Sequence, residues 1–255
     1  MKDVVLVEHR DGVAIITINR PEARNSVNRA VSDAATEAVD ELDARPDLVV
    51  GIITGAGGFF SAGMDLKAFL AGEQVADEER GMLGFTRRPS KKPLIAAVEG
   101  PALAGGCEIA LACDLIVAAE DASFGIPEVK RGLVAGGGGL LRLPRRIPQA
   151  VAMELALTGD PLSAADALRF GLINAVTAKG GALEGAIALA SRITANGPLA
   201  VAASREIVVK ATDWTMDEQA WTESQKIFAP VFESDDAKEG ARAFAEKRPP
   251  IWSGR

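Results

Sequence analysis

The stretch Gly105–Glu128, GGCEIALACDLIVAAEDASFGIPE, decides how the rest of the chain is interpreted. Its middle is almost entirely apolar, yet Glu108 stands near one end and Glu128 at the other. A carboxylate costs several kcal/mol to bury without partners. Something in the folded protein must therefore hold these two glutamates or use them.

Two interpretations of the glutamates remain open at this level. Two carboxylates held close together cannot both ionise easily, so one would act as an acid and the other as a base. In the alternative, Glu108 caps its helix while Glu128 forms a surface ion pair with Lys130 or Arg131. Sequence spacing does not decide between them.

Apolar strands surround this stretch and alternate with helical patterns. Val49–Gly55 and Leu94–Gly100 are largely apolar runs that end in glycine, and each leads into a loop that opens a helix. Asp114–Glu120, apolar between its two acidic ends, is a third predicted strand. Buried strands that alternate with helices predict an α/β core.

The two ends of the chain differ in pattern. Near the start, two β-branched runs flank Asp11 and Gly12, which predicts a hairpin. After Pro148, the pattern is mainly helical. We therefore predict an α/β core over residues 1–195 and a helical region over 196–255. Residues 71–90 are polar and irregular, which predicts a mobile surface segment.

Composition limits the function. The chain has 255 residues and a net charge of −7, which argues against nucleic acid and anionic membranes as partners. No basic, apolar leader or membrane span is evident, so we expect a cytoplasmic protein. With His9 as the only histidine and no tyrosine, histidine-dependent triads are not expected. Cys107 and Cys113 form no C-x-x-C pair, and no metal site is predicted.

Two glycine loops occupy equivalent places, each after a buried strand and before a helix. They are SAGMD (Ser61–Asp65) and ALAGG (Ala102–Gly106). The first N–H groups of a helix have no internal partner and favour negative charge. One N–H group from each loop would form an oxyanion hole; alternatively, the glycines only permit close packing. The glycine runs 55–58 and 136–139 complete no nucleotide motif, so we assign them to turns and close packing.

The order and spacing of several motifs resemble the crotonase (enoyl-CoA hydratase/isomerase) superfamily over essentially the whole chain. This resemblance implies a crotonase-like stack of ββα units followed by trimerisation helices. It also implies an acyl-CoA or enoyl-CoA substrate, no separate cofactor, and a homotrimer or a pair of trimers. The motifs are NRPEARN, TGAGGFFSAGMDLK, KKPLIAAVEGPALAGGCEIALACDLIVAAEDASFGIPEVKRGL, GGGGLLRLPRRI, LTGDPLSAADALRFGLIN and FAEKRPP.

By motif match, the resemblance assigns the two oxyanion N–H groups to Ala62 and Gly105. The neighbouring residues of the first motif, Gly63, Met64 and Asp65, are expected to contact the substrate. Polarising the thioester carbonyl draws charge onto its oxygen, and the hole stabilises the resulting enolate-like state.

The acidic residues imply the reaction. Hydratases of this superfamily carry glutamates at the positions matched by Glu108 and Glu128, whereas many isomerases keep only the later one. Both are present, so the resemblance favours an enoyl-CoA hydratase. Glu128 is expected to donate the α-carbon proton and Glu108 to activate water. An enoyl-CoA isomerase and a non-catalytic acyl-CoA-binding scaffold remain alternatives. A third, carnitinyl-CoA dehydratase, rests on ASFGIPEVKRGLV, LLRLPRRIP and FAEKRPPIWSGR.

Basic residues are expected to meet the anionic coenzyme A. The candidates are Arg24 in the RPEARN turn, Lys67 after the first glycine loop, and Lys247 with Arg248 near the C-terminal end.

The chain departs from the family pattern at three positions. Ala135 replaces a common proline, Ala104 a frequent glycine, and Pro101 a usual aromatic residue. These changes alter the wall of the expected acyl pocket and leave the chain-length preference open.

Overall fold

The computed structural model describes residues 3–255. Contacts within the chain define two compact units, one that ends at Ala190 and one formed by Ser191–Arg255. This division lies five residues before the predicted boundary, within the helix Ala182–Thr194. The predicted role of the second unit in trimerisation stays a prediction.

The first unit is built on two sheets, and this confirms the predicted α/β class. The larger sheet has the strand order β1-β2-β3-β4-β6-β9, with β1 and β2 antiparallel and the other pairs parallel. The smaller sheet has the order β5-β7-β8. The strands are β1 Val5–Arg10, β2 Val13–Ile18, β3 Val50–Gly55, β4 Leu94–Val98, β5 Pro101–Leu103, β6 Leu115–Ala119, β7 Ser123–Gly125, β8 Leu162–Ser163 and β9 Ala175–Thr177.

The α-helices follow the predicted pattern, and α1 illustrates a local cause. In α1, Asn28 accepts a hydrogen bond from the Val31 N–H group at 3.1 Å and so caps the helix. The helices are α1 Arg29–Ala44, α2 Leu66–Leu70, α3 Gly105–Ala112, α4 Gly139–Arg146, α5 Gln149–Thr158, α6 Ala164–Arg169, α7 Ala182–Thr194, α8 Pro198–Ala211, α9 Glu218–Glu233 and α10 Asp235–Glu246.

The hairpin and the central strands set the frame of the sheet. Asp11 and Gly12 both have positive φ angles, 51° and 79°, which suits the tight turn between β1 and β2. The central strands β3 and β4 are buried on both faces, as their continuous apolar sequences predict. The predicted hairpin and strands are thus confirmed.

The chain segments after β3 and β4 run side by side. A parallel bridge joins Ser61 to Ala102, and the Leu103 N–H group donates to the Ser61 carbonyl at 3.0 Å. Because β3 and β4 are parallel neighbours, their carboxyl ends meet at the same edge of the sheet. The two glycine loops are therefore brought together from positions about forty residues apart in sequence.

The prediction for residues 71–90 is wrong in its second half. Met82, Leu83 and Phe85 are buried, and a short 3-10 helix, Met82–Gly84, packs on α1. The Leu83 N–H group donates to the Ser32 hydroxyl at 3.2 Å. Three apolar residues in so short an element give no periodicity to detect, which explains the error.

The second unit is helical and closes on its own C-terminal residues. The Trp252 ring lies 3.4–3.6 Å from where a Cβ on Gly197 or Gly240 would stand, and its indole N–H group donates to the Ala195 carbonyl at 2.9 Å. The buried Asp236 carboxylate accepts the Ser253 N–H group at 2.7 Å. Within residues 3–255, no single helix is long and apolar enough to cross a membrane; the bent pair α7 and α8 meets the length and hydropathy criteria only when counted together.

Candidate active site

The two glycine loops are in direct contact at Gly63 and Gly105. A Cβ built on Gly63 would lie 2.5 Å from the Gly105 nitrogen and 2.9 Å from the Leu103 carbonyl oxygen. Gly63 also has a φ of 83°, a conformation that side chains disfavour. Two requirements thus demand glycine at this position, and the contact places both loops at one site.

Buried polar groups fix the first loop. The Ser61 hydroxyl donates to the Asn25 carbonyl at 2.8 Å and accepts the Gly63 N–H group at 3.1 Å. The fully buried Asn25 side chain donates to the carbonyls of Ala56 and Phe59. Because each buried polar group has a partner, the loop is held in one conformation.

Asp65 anchors the end of the same loop. Its carboxylate caps α2 through the Lys67 N–H group at 3.0 Å and pairs with Arg20 at 3.1 Å. Burial alone would raise the pKa of Asp65, but the hydrogen bonds from Arg20 and the helix N–H groups outweigh it and lower the pKa. Asp65 is therefore an ionised, structural carboxylate beside the site.

The expected oxyanion role of Ala62 needs correction. The Ala62 N–H group donates to the Arg24 carbonyl at 3.0 Å, so it is already engaged inside the protein. Val27 and Met64 form a parallel β-bridge, in which the Val27 N–H group donates to the Gly63 carbonyl and the Asp65 N–H group donates to the Val27 carbonyl. The Met64 N–H group lies between these two bonds and therefore points away from Val27. Within the described residues, this Met64 N–H group has no acceptor.

Gly105 is the first residue of α3, and its N–H group likewise has no acceptor among residues 3–255. The preceding residue, Ala104, has a φ of 50° and a ψ of −129°, a region that favours glycine. The strained peptide between these two residues supplies the N–H group that borders Gly63. Met64 and Gly105 thus each present a backbone N–H group without a described acceptor at the junction of the loops.

Glu108 lies in the first turn of α3, as predicted, and is 3% exposed. Its Oε1 atom accepts the Gly139 N–H group at 2.9 Å. A Cβ built on Gly137 would lie 2.6 Å from Oε2, so the glycine run 136–139 packs directly against the carboxylate. Burial raises the pKa of Glu108, and the hydrogen bonds from the glycine run oppose the increase.

Glu128 lies in a 3-10 helix, Pro127–Arg131, and its Oε2 atom is buried without a hydrogen-bond partner. Burial raises the pKa of Glu128, and the negative charge of Glu108 raises it further. Lys130 pairs instead with Asp160 at 2.6 Å, so it does not form the alternative ion pair with Glu128. Burial and charge favour the protonated form of Glu128.

The arrangement suits acid–base chemistry beside a polarised carbonyl. Two carboxyl groups with raised pKa values interact electrostatically, and two free backbone N–H groups lie at the adjoining loop junction. No three His, Cys, Asp or Glu side chains of residues 3–255 are grouped so that they could hold a metal ion.

A sequence profile of the enoyl-CoA hydratase/isomerase family matches residues 8–255. The chain belongs to this family. It has the crotonase fold: the crystal structure of the enoyl-CoA hydratase EchA1 from Mycobacterium marinum superimposes with a TM-score of 0.97, at 64% identity and with all of both chains covered.

Two further relatives of this chain carry different names. The enoyl-CoA hydratase EchA19 of Mycobacterium tuberculosis is 46% identical, over 98% of this chain and 96% of its own. The carnitinyl-CoA dehydratase of Salmonella typhi is 44% identical, over 94% of each chain. The family membership predicted from the motifs is therefore confirmed.

The basic residues predicted for coenzyme A lie on the surface of the protein. Arg24 and Lys67 are exposed on the first unit, and the Arg24 guanidinium lies 6.0 Å from the Phe59 ring centroid. Lys247 is an exposed residue of the second unit, and Arg248 pairs there with Glu239 at 2.6 Å. Their proposed contacts with coenzyme A stay predictions.

Met82 lies beside the candidate site, a position that the sequence did not reveal. Its terminal methyl carbon lies 3.0 Å from a Cβ built on Gly105 and 2.9 Å from one built on Gly137. The thioether therefore stands between the second glycine loop and the Glu108 carboxylate. An isolated methionine in a polar stretch gave no signal of this position.

Proposed function

We propose that the protein is an enoyl-CoA hydratase, which reversibly adds water across the 2,3 double bond of a 2-enoyl-CoA thioester. One observation carries this proposal. Two interacting carboxyl groups, the buried Glu108 and the half-buried Glu128, accompany two free backbone N–H groups at the junction of the glycine loops. The relatives named enoyl-CoA hydratase support the same reaction.

The thioester oxygen binds, in this proposal, to the N–H groups of Met64 and Gly105. Both donors are fixed by backbone geometry, so they need no reorganisation as charge develops on the oxygen. Loss of one such donor typically costs about 2.7–4 kcal/mol in the transition state. Gly105 also opens α3, whose dipole favours negative charge at this end.

The two glutamates divide the proton transfers. Glu108 takes a proton from water as the water oxygen bonds to C3, and Glu128 gives its proton to C2. The hydrogen bond from Gly139 stabilises the ionised form of Glu108, which suits a base. Glu128 has a buried oxygen without a partner, which suits a protonated acid. One water is consumed. Proton transfer from Glu108 to Glu128 then returns both carboxyl groups to their starting protonation states.

The test is turnover of crotonyl-CoA, followed as loss of the conjugated enone absorbance. We expect rapid loss with the unaltered protein and about 10²–10⁴-fold slower loss with Glu108→Gln or Glu128→Gln, each folded as judged by circular dichroism. Unchanged turnover in either variant would remove that residue from the mechanism. Tight acyl-CoA binding without turnover would instead support a scaffold.

A second candidate, carnitinyl-CoA dehydratase, is favoured by the 44% identity to the Salmonella typhi enzyme of that name. Its substrate would carry a trimethylammonium group, which aromatic faces attract. Turnover of crotonobetainyl-CoA equal to or faster than that of crotonyl-CoA would favour this candidate, and complete inactivity would reject it.

The assembly we propose is a homotrimer or a pair of trimers. Large apolar side chains are exposed on the helices of the second unit, including Trp221, Phe232 and Phe244. Such surfaces are typical of subunit contacts. Light scattering at several concentrations would give the mass, and a monomer at all of them would contradict this assembly.

A further inference from the structure

We infer that Arg142 is a positioning residue for the reaction. It holds the glycine run 136–139 against the Glu108 carboxylate and so keeps that carboxylate ionised, as water activation requires. This inference rests on the proposed hydratase function. Arg142 lies on α4, half-buried, one turn after the glycine run ends.

The guanidinium binds two backbone carbonyls that border the site. Arg142 Nη2 donates to the Thr86 carbonyl at 2.6 Å, and Nη1 donates to the Gly137 carbonyl at 3.2 Å. Thr86 ends the buried segment that begins at Met82, and Gly137 lies against the Glu108 carboxylate. One side chain therefore ties together two walls of the site.

The conformation of the glycine run depends on these hydrogen bonds from Arg142. Gly138 has a φ of 101°, and a Cβ on it would overlap the Arg142 guanidinium. The next residue, Gly139, directs its N–H group at Glu108 Oε1. Without the guanidinium, the Gly137 carbonyl loses its hydrogen-bond donor. Glycines have no side chains with which to hold the run in place, so the hydrogen bond from the Gly139 N–H group to Glu108 should weaken.

The charge of Arg142 acts in the same direction. Among the described residues, Arg142 forms no ion pair within 4.0 Å. Burial lowers the pKa of Arg142, and Glu108 supplies the carboxylate charge that opposes this decrease. Reciprocally, Arg142 lowers the pKa of Glu108. The other ionisable groups that interact with Glu108 are Glu128, from the neighbouring 3-10 helix, and Cys107, on α3 itself. Arg142 is thus the cation that separates the roles of the two glutamates.

Arg146 provides a matched control. It lies one turn further along α4, is also partly buried, and donates to the Cys113 carbonyl at 2.7 Å. The carboxylate that interacts with its charge is Asp114 rather than Glu108. Removing it costs a comparable buried hydrogen bond without touching the glycine run.

The experiment compares Arg142→Gln, Arg142→Lys and Arg146→Gln in the full-length protein. For Arg142→Gln we expect kcat for crotonyl-CoA to fall at least about tenfold with a smaller change in KM, and the acid limb of the kcat/KM profile to move up by about one pH unit. Arg142→Lys keeps the charge but cannot bond both carbonyls as the guanidinium does. The acid limb of its kcat/KM profile should therefore stay near that of the unaltered protein, while kcat falls. Arg146→Gln should lower the melting temperature and leave the limb in place.

A readout without turnover separates this inference from the hydratase assignment. The Glu108 carboxyl carbon can be followed by NMR against pH in labelled protein, with Glu108→Gln identifying the resonance. We expect its midpoint to rise in Arg142→Gln and not in Arg146→Gln. An unmoved midpoint, or equal movement in both variants, would overturn the inference whether or not the protein hydrates crotonyl-CoA.

Discussion

Gly63 and Gly105 approach so closely that Gly63 cannot carry a side chain: a Cβ on Gly63 would lie 2.5 Å from the Gly105 nitrogen, and one on Gly105 would make a tight contact of 3.3 Å with the Gly63 Cα. The contact joins loops that follow two different strands of the large sheet. The position of the Gly105 N–H group relative to Met64 therefore depends on the absence of one methyl group.

Gly63→Ala should abolish most activity and destabilise the protein by roughly 2–4 kcal/mol, because the methyl group overlaps backbone atoms that have no free volume to move into. Gly58→Ala is the matched control, since Gly58 has a similar φ of 76° but nothing within 4 Å of the added Cβ. It should cost about 1 kcal/mol and leave kcat unchanged. Chemical denaturation and crotonyl-CoA turnover measure both effects; equal effects in the two variants would show that φ alone matters.

Ala104→Gly should stabilise the protein by about 1 kcal/mol or more, because Ala104 holds a φ of 50° and a ψ of −129° that glycine adopts without strain. Differential scanning calorimetry would show a higher melting temperature. A lower one would mean that the Ala104 methyl group contributes packing that outweighs the strain. Ala102→Gly, on the neighbouring buried strand, should destabilise instead.

Met82 should restrict the acyl group, because its thioether stands between Gly105 and the glycine run that covers Glu108. Met82→Ala should raise the ratio of kcat/KM for an octenoyl-CoA over that for crotonyl-CoA. The expected increase is about 10-fold, because the truncation opens space for two or three methylenes of the longer acyl chain. Met82→Leu conserves the volume and should change the ratio little. An unchanged ratio in the alanine variant would place the acyl chain elsewhere.

The pKa of Glu128 is raised by burial, so the folded protein holds its proton more tightly than the unfolded chain does. Stability from this group is fully present below its ordinary pKa of 4.5 and is lost as the pH rises through the folded value. Glu128→Gln should therefore raise the melting temperature more near pH 8 than near pH 4.

Glu239 provides the opposite sign for comparison. Its bond to Arg248 lowers the pKa to about 2, so its stabilising contribution is present above 4.5 and is lost as the pH falls toward 2. Glu239→Gln should be most destabilising near neutral pH. The same pH trend in both glutamine variants would contradict the assigned directions.

Lys67 should contribute to coenzyme A binding through charge. It is exposed on α2, directly after the loop that carries Met64, and forms no ion pair among the described residues. Lys67→Gln should weaken acyl-CoA binding by about 1 kcal/mol, or roughly fivefold, at low salt, and less at high salt. Lys226→Gln, a lysine already paired with Glu223, serves as the control. Calorimetric titration at two salt concentrations gives both values, and a salt-independent loss would exclude a charge contact.

Much of the fold was readable because its signals are local. The hairpin turn at Asp11 and Gly12 and the apolar runs of β3 and β4 each follow from a few neighbouring residues. The positions of Glu108 in a first helical turn and of Glu128 after Pro127 were readable for the same reason. That these two carboxyl groups interact was not, since their proximity depends on how α3 and the 3-10 helix pack.

The errors arise where register or tertiary packing decides. Ala62 and Met64 differ only in which side of the loop their N–H groups face, and the bridge to Val27 that sets this is a pairing between distant segments. Met82 lies in no motif, and Arg142 lies in the motif GGGGLLRLPRRI without any sign of its partner. The roles of both appear only when three separate segments converge on Glu108.

The division of the chain has a spectroscopic consequence. All three tryptophans, Trp214, Trp221 and Trp252, belong to the unit that starts at Ser191, and the protein has no tyrosine. Intrinsic fluorescence therefore reports on the helical unit alone, whereas acyl-CoA turnover depends on the loops of the other. Recording both during one denaturant titration would show whether the two units melt together or in sequence, without any added label.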